Sequence, residues 1–205
     1  EMVPTYDSGF GHRPDAVNFP GDLEQFVEDG AVAFHGSVER WRNPLLIDES
    51  DQDALRSGWD LVIDIDCDPS FELAKDTARL LVDTLENQFG IEAVGVKFSG
   101  NRGFHISVPK SAFPDKVDDQ EISDLYPRLP KACINVLREE MEEEMRGLVR
   151  KHGLKEKMST SHGTDPYQVA DLENNWGSRH LFRMPYSLHD SSWLVSLPIP
   201  KDEIQ

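Results

Sequence analysis

The run "WDLVIDIDCD", residues 59–68, constrains this chain more than any other stretch. It reads as a strand with an acid at every second position. Side chains alternate sides along a strand, so Asp60, Asp64, Asp66 and Asp68 share one face. Like charges this close repel one another, and at least one carboxyl stays protonated unless a counter-charge is supplied. A strand closed in on both faces would not carry such a row. A divalent cation resolves the conflict, because Mg²⁺ or Mn²⁺ takes hard oxygen ligands and combines one or two carboxylates with waters and substrate phosphates. The plainer reading is a strand end with solvated acids, but here the acids lie inside an apolar run. Asp68 reads as the cap of the next helix and Asp60 precedes the strand core, which leaves Asp64 and Asp66 as the pair to follow.

The rest of the chain supplies partners for that strand. "PSFELAKDTARLLVDTLENQFG" (69–90) places Phe71, Ala74, Ala78, Leu81, Leu85 and Phe89 at three- and four-residue steps, the stripe of an amphipathic helix. Asp68 before Pro69 fits its start and Gly90 its end. "KACINVLREEMEEEMRGLVRKHG" (131–153) predicts a second long helix with a stripe of Ile134, Leu137, Met141, Met145 and Leu148, its acids forming a solvated face. Strands are expected at 31–38, 91–98, 104–109, 179–185 and 193–199. Residues 1–30, rich in Gly, Pro and Asp, read as an irregular lead-in with a short helix near "GDLEQFVEDG". Strands interspersed with two long helices predict an α+β fold, a sheet with both helices on one face.

Composition narrows the possibilities. The 205 residues suit one domain, taken as residues 1–205 with a core over 31–199, and 38% hydrophobic residues suffice for a core. The formal net charge of −17 excludes a surface that binds nucleic acid everywhere, so any polyanion site has to be a local basic island. Cys67 and Cys133 form no CxxC pair and read as small buried apolar residues in a reducing compartment. No apolar run approaches membrane-spanning length and the first residues show no signal-peptide pattern, so no membrane is expected and the location reads as cytoplasmic.

Two basic islands stand out. Residues 91–110 hold Lys97, Arg102 and Lys110 against Glu92 alone, and residues 174–189 hold Arg179 and Arg183 with no acid. The first contains "FSGNRGFH" (98–105). Gly100 and Gly103 allow a tight turn and close approach of backbone to an anion. Ser99 offers a hydroxyl, Arg102 a fork for phosphate oxygens and His105 a ring nitrogen. A plain strand–turn–strand with a surface arginine and a packed histidine is the alternative. The second island, "RHLFRMPYSLH", clusters Arg183, Ser187 and His189 around Pro185, each able to contact a triphosphate.

Taken in order, these motifs resemble the archaeo-eukaryotic primase superfamily, with the closest likeness to the catalytic small subunit of replicative primases. "LVIDID" resembles its D-x-D strand, "SGNRGFH" its S-G-x-x-G-x-H motif, and "HLFRMPYSLHDSSWLVSLPI" its basic residue before P-x-S-x-H and the following strand. The resemblance spans about residues 31–199. It implies a primase-polymerase palm, an RRM-like antiparallel sheet with packed helices. Asp64, Asp66 and Asp171 would form a metal triad for two Mg²⁺ or Mn²⁺ ions, with Asp165 as the substitute for Asp171. Ser99, Arg102, His105, Arg183, Ser187 and His189 would contact the triphosphate. Typical members also carry a zinc site, but between Asp66 and Ser99 this chain has only Cys67 and no histidine, so no structural zinc is expected.

The function implied is template-dependent nucleotidyl transfer that makes short RNA or DNA primers on single-stranded DNA. Nucleoside triphosphates would be the substrates, a primase large subunit or other replication or repair proteins the partners, and a nucleoid-associated location would follow in a prokaryote. Three alternatives stand beside it: an end-joining or repair polymerase that only extends existing ends, a non-catalytic nucleic-acid-binding homologue, and a small-molecule nucleotidyltransferase.

Overall fold

A computed structural model describes residues 1–48, 51–161 and 163–204. The chain runs through β1 (Met2–Tyr6), β2 (Gly9–Phe10), α1 (Pro20–Glu28), β3 (Ala33–Ser37), β4 (Glu39–Trp41), α2 (Gln52–Leu55), β5 (Arg56–Trp59), β6 (Leu61–Asp66) and α3 (Phe71–Asn87). It continues with β7 (Gly95–Phe98), β8 (Gly103–Val108), the small hairpin β9 (Lys116–Val117) and β10 (Gln120–Glu121), α4 (Arg128–Glu140) and α5 (Glu142–Lys151). A second small hairpin, β11 (Ser159–Thr160) and β12 (Gly163–Thr164), precedes β13 (Asp171–Leu172), β14 (Leu181–Arg183) and β15 (Leu197–Ile199).

The acidic strand β6 lies inside a five-stranded antiparallel sheet of order β13-β6-β8-β7-β15. Its alternation sorts the two faces. Leu61, Ile63 and Ile65 are buried against the helices, while Val62, Asp64 and Asp66 point the other way and stay half-buried or exposed. The helical face holds the core: Leu73, Ala74, Ala78, Leu81 and Leu85 of α3 pack with Ile134, Leu137, Met141, Met145 and Val149. This is the α+β arrangement the sequence predicts, with α3, α4 and α5 on one face of the sheet.

Several local details differ. Residues 1–30 are not an irregular lead-in: β1 and β2 pair with β3 and β14 into a four-stranded sheet of order β14-β3-β1-β2. The strand in "MVPTY" is held by pairing with residues 33–36, a long-range contact that local composition does not encode. Helix α3 begins at Phe71 rather than beside Asp68, because the Ser70 hydroxyl accepts from Leu73 N at 3.1 Å and caps it. The helix expected over 131–153 is two helices that meet at Met141, whose φ of −92° and ψ of −1° interrupt the regular geometry while its stripe stays in register. Phe71 and Phe89, at the ends of the α3 stripe, remain exposed, and Cys133 is half-buried whereas Cys67 is buried. Among the described residues, no helix is long and apolar enough to cross a membrane.

Candidate active site between two sheets

The antiparallel register of β6 and β8 places Asp66 opposite Gly103 and Asp64 opposite His105. Gly103 is required by proximity: a Cβ built there would lie 1.9 Å from the Ile65 carbonyl oxygen, so any side chain would force β8 off β6. Gly100 is required by conformation, with φ of +102°, and a Cβ there would meet the His189 Cβ at 3.0 Å. The turn between β7 and β8 closes with Ser99 N–H donating to Gly103 O at 3.0 Å. Both glycines thus draw the 99–103 turn down onto the acidic strand and against the 189–196 segment.

The result is one cavity of about 360 Å³ between the open face of the five-stranded sheet and the edge of the four-stranded one. Asp64, Asp66, Ser99, Arg102, His105, Arg183 and His189 all line it. The structure therefore brings together seven of the nine residues singled out from the sequence. Asp60 does not join them, since its carboxylate accepts from Arg40 and from Lys110 N. Asp68 stands at the rim, paired with Arg102 at 2.8 Å.

Asp171 and Ser187 are the two exceptions. Asp171 pairs with Asp66 across the ladder, but its carboxylate lies 3.6 Å from Arg138 Nη1, is 59% exposed and does not line the cavity. Asp165, the substitute, accepts from Tyr167 N at 2.9 Å as the cap of a short turn and also faces Arg138. The third carboxylate in the cavity is Glu173, which follows β13 and donates its N–H to Asp64 O at 3.0 Å. Residues 171 and 173 share a face for the same reason as 64 and 66, so the D-x-E spacing of "DLE" was the signal available in the sequence. Ser187 is buried, and its hydroxyl is committed to the Phe34 backbone: it accepts from N–H at 3.0 Å and faces the carbonyl at 3.2 Å. It staples the 184–189 turn to β3 and does not line this cavity.

The electrostatics divide the cavity into two ends. At the acidic end, burial, then Glu173 and Asp66, push the Asp64 carboxyl up to about 7, although 34% of its side chain remains open. Beneath the other end, burial lowers the Lys97 ammonium to about 8, with Arg183 adding to the effect against the opposing pull of Asp64. Lys97 Nζ donates to the Arg183 carbonyl and to Ser196 Oγ, tying the two sheets together below the cavity. Arg183 Nη1 donates to Leu188 O at 2.6 Å, and its Nη2 lies 3.4 Å from Asp190. His105 sits between the ends, its Nε2 3.5 Å from Asp64 Oδ1 and its buried Nδ1 without a hydrogen-bond partner among the described residues. Burial and the neighbouring Lys97 and Arg183 hold it well below the usual imidazole range, so it is neutral.

A family model described as DNA primase small subunit matches residues 63–200, which hold Asp64, Asp66 and both basic motifs. The chain belongs to the DNA primase small subunit family. The DNA primase small subunit PriS of Pyrobaculum aerophilum is 28% identical over 89% of this chain and 65% of its own length. That of Pyrobaculum calidifontis is 26% identical over 76% and 57%, and that of Methanospirillum hungatei 35% identical over 46% and 27%. The chain thus spans less than two thirds of these curated relatives. Among solved structures, the polymerase domain from Mycobacterium tuberculosis ligase D in complex with DNA matches with a TM-score of 0.58 at 18% identity, over 95% of this chain and 62% of that one. That likeness is one of fold, and it is the primase-polymerase architecture that the motifs imply.

Primase small subunits as a family imply a divalent cation, and the donors here can be weighed for one. Among the described residues, no three His, Cys, Asp or Glu side chains are grouped closely enough to enclose an ion. Two neighbouring carboxylates, a third from Glu173 and an Asp64 pKa raised first by burial and then by Glu173 and Asp66 are what an Mg²⁺-type ion relieves, since it takes one or two carboxylates and leaves the rest to water and phosphate. The donors fit on that basis. Beyond the motifs, the cavity also gathers Phe10, His35, Asn101 and His180. Phe10 and His35 come from the part of the chain that precedes the family match, which is why no primase motif points to them.

Proposed function

We propose that this cavity carries out metal-dependent nucleotidyl transfer from nucleoside triphosphates onto a strand templated by single-stranded DNA, so that the protein makes short RNA or DNA primers. One observation carries the reading: three carboxylates (Asp64, Asp66, Glu173) and two guanidinium groups (Arg102, Arg183) line a single cavity, with the Lys97 ammonium beneath it. A triphosphate with its divalent cation has the complementary polarity.

In this reading Asp64, Asp66 and Glu173 hold the cation or cations. Bound Mg²⁺ or Mn²⁺ would lower the pKa of an attacking 3′-hydroxyl and screen the pyrophosphate leaving group. Ser99 and the 99–103 turn cradle phosphate oxygens. Arg102 and Arg183 neutralise the charge that grows on the leaving group, and neutral His105 donates without adding charge at the point nearest the acids. Arg102 is paired with Asp68 and Arg183 with Leu188 O, so both are held in defined rotamers.

The test is primer synthesis on a single-stranded template with labelled nucleotides and Mg²⁺ or Mn²⁺. The double substitution Asp64→Ala/Asp66→Ala is expected to abolish incorporation in a folded protein, and wild-type synthesis by it would sink the assignment. A second reading, extension of existing ends, draws on the likeness to the ligase D polymerase domain over nearly the whole chain. Incorporation only when a primer is supplied favours that reading; synthesis without one excludes it. The same assay run with and without a large subunit reports whether that partner is needed.

A further inference from the structure

The chain from Tyr186 to Leu197 turns an aromatic and apolar surface to solvent. Tyr186 is 72% exposed and Trp193 57%, and Leu194, Val195 and Leu197 are exposed beside them. The segment is a fixed hairpin. Tyr186 N–H donates to Ser196 O at 2.7 Å, Leu188 bridges to Val195, and His189 N–H donates to Leu194 O at 2.9 Å. Ser196 is fully buried, and its hydroxyl donates to Phe98 O at 3.1 Å and accepts from Lys97.

Both aromatic residues sit on left-handed backbone, Tyr186 at φ +65° and Trp193 at φ +58°. Bulky side chains are rare in this region, whereas glycine adopts it freely. Among the described residues neither ring stacks on another ring, and neither polar tip has a hydrogen-bond partner. Backbone strain that gains no contact inside the chain points to a contact outside it. We propose that this hairpin is a stacking platform for bases of the single-stranded nucleic acid on which the cavity acts, with Trp193 and Tyr186 as the stacking rings. The inference rests on the functional reading of the cavity given above.

Continuity with the cavity names the occupant. His189 of the hairpin lines the cavity, and the Ser192 hydroxyl donates to Gly100 O in the glycine turn. A strand that reaches Asp64 and Asp66 therefore lies close to the hairpin. Charge says how the strand is held there. From Tyr186 to Leu197 there is no lysine or arginine, Asp190 is acidic, and the chain as a whole carries −17. Phosphates find no grip on such a surface, while base–aromatic stacking depends on neither charge nor sequence.

The experiment titrates the full chain with a short oligothymidylate and with an abasic strand of the same length, in wild type, Trp193→Phe and the double variant Tyr186→Gly/Trp193→Gly. Glycine removes the rings and suits the left-handed backbone, so the double variant is expected to melt at or above the wild-type temperature. It is expected to bind oligothymidylate at least about tenfold more weakly, the scale of one base–aromatic stack, with Trp193→Phe within about threefold of wild type. The abasic strand should bind all three proteins alike. Trp59 and Trp176 are buried and Trp41 is half-buried, so quenching of tryptophan fluorescence by oligothymidylate reports on Trp193 and should vanish in Trp193→Phe. Recessed duplexes made abasic in the template overhang or in the primer end identify the stacked strand, because only its loss of bases weakens binding.

Unchanged oligothymidylate affinity in the double variant overturns the proposal, as does an equal loss for the abasic strand. A double variant that folds but melts lower overturns the argument from strain and the proposal with it. Should it fail to fold, the wild-type titration decides: quenching by oligothymidylate and not by the abasic strand supports stacking, and no quenching refutes it. Wild-type dimerisation, or binding of a purified large subunit, that the double variant loses while keeping its oligothymidylate affinity gives the hairpin to a protein contact and overturns the proposal. A wild type that incorporates no nucleotide overturns the functional reading itself, whereas wild-type incorporation with strand affinity insensitive to the double variant overturns only this inference.

Discussion

Glu173 and Asp171 differ by two positions and by what their carboxylates meet. Asp171 is held toward Arg138 at 3.6 Å, while Glu173 lines the cavity and lies 3.4 Å from His180 Nε2. Glu173→Gln is therefore expected to cost at least about 100-fold in nucleotide incorporation and to weaken Mn²⁺ binding in step, as loss of a ligand or near-ligand does. Asp171→Asn should stay within a few-fold of wild type in both; the reverse ranking would return the role to Asp171. Ser187 makes a parallel case. Its buried hydroxyl serves the Phe34 backbone, so Ser187→Ala is expected to lower stability by about 1–2 kcal/mol in urea unfolding and to leave the KM for nucleotide unchanged. A raised KM with intact stability would make it a ligand after all. At this scale the sequence picks out most of the residues that come to line the cavity, because D-x-D and S-G-x-x-G-x-H place their side chains through strand alternation and one tight turn, both local. It misjudged Ser187 because nothing local shows that Phe34 lies across from it.

Among the elements, α3 is the one whose anchoring is most open to a solution test. Asp76 on α3 accepts from Lys151 Nζ and His152 Nε2, at the end of α5, each at 2.8 Å. Burial pushes its carboxyl up, but the hydrogen bonds from Lys151 and His152 outweigh burial and leave it below the usual 3.8. A folded-state pKa below the unfolded one adds stability that is present above the unfolded value and is lost as pH falls through the folded one. Asp76→Asn is expected to lose about 1 kcal/mol at pH 7 and nothing in strong acid, measured by urea unfolding across that range. A gap of equal size at both extremes would remove the electrostatic argument. The helices themselves were legible from their stripes. Their ends were less so: Asp68 looked like a cap from sequence, but Arg102 claims its carboxylate and Ser70 takes the capping position.

On the scale of the whole molecule, the site exists only where two sheets meet. The five-stranded sheet supplies Asp64, Asp66 and His105, and the four-stranded sheet supplies His35 and Arg183, with Lys97 bonded to the Arg183 carbonyl across the junction. A ligand seated there binds the folded state alone and stabilises both sheets together. ATP with Mn²⁺ at about 100 times its dissociation constant should raise the melting temperature by about 5 °C or more, and the Asp64→Asn/Asp66→Asn protein should show no such rise. A rise of the same size in the double variant would place the nucleotide elsewhere. The net charge of −17 belongs to this scale too, since it disfavours a polyanion over most of the surface and leaves attraction to local groups of bases. By itself the sequence determined the acidic strand, the glycine turn above it, the amphipathic helices and the order of motifs that marks a primase small subunit, because strand period, helix period and turn chemistry are local. Only the tertiary structure decided that residues 1–10 form strands, that Glu173 rather than Asp171 enters the cavity, and that His35 stands beside Arg183. Each of these depends on strands distant in sequence coming into register, and no local pattern records which strand a residue will face.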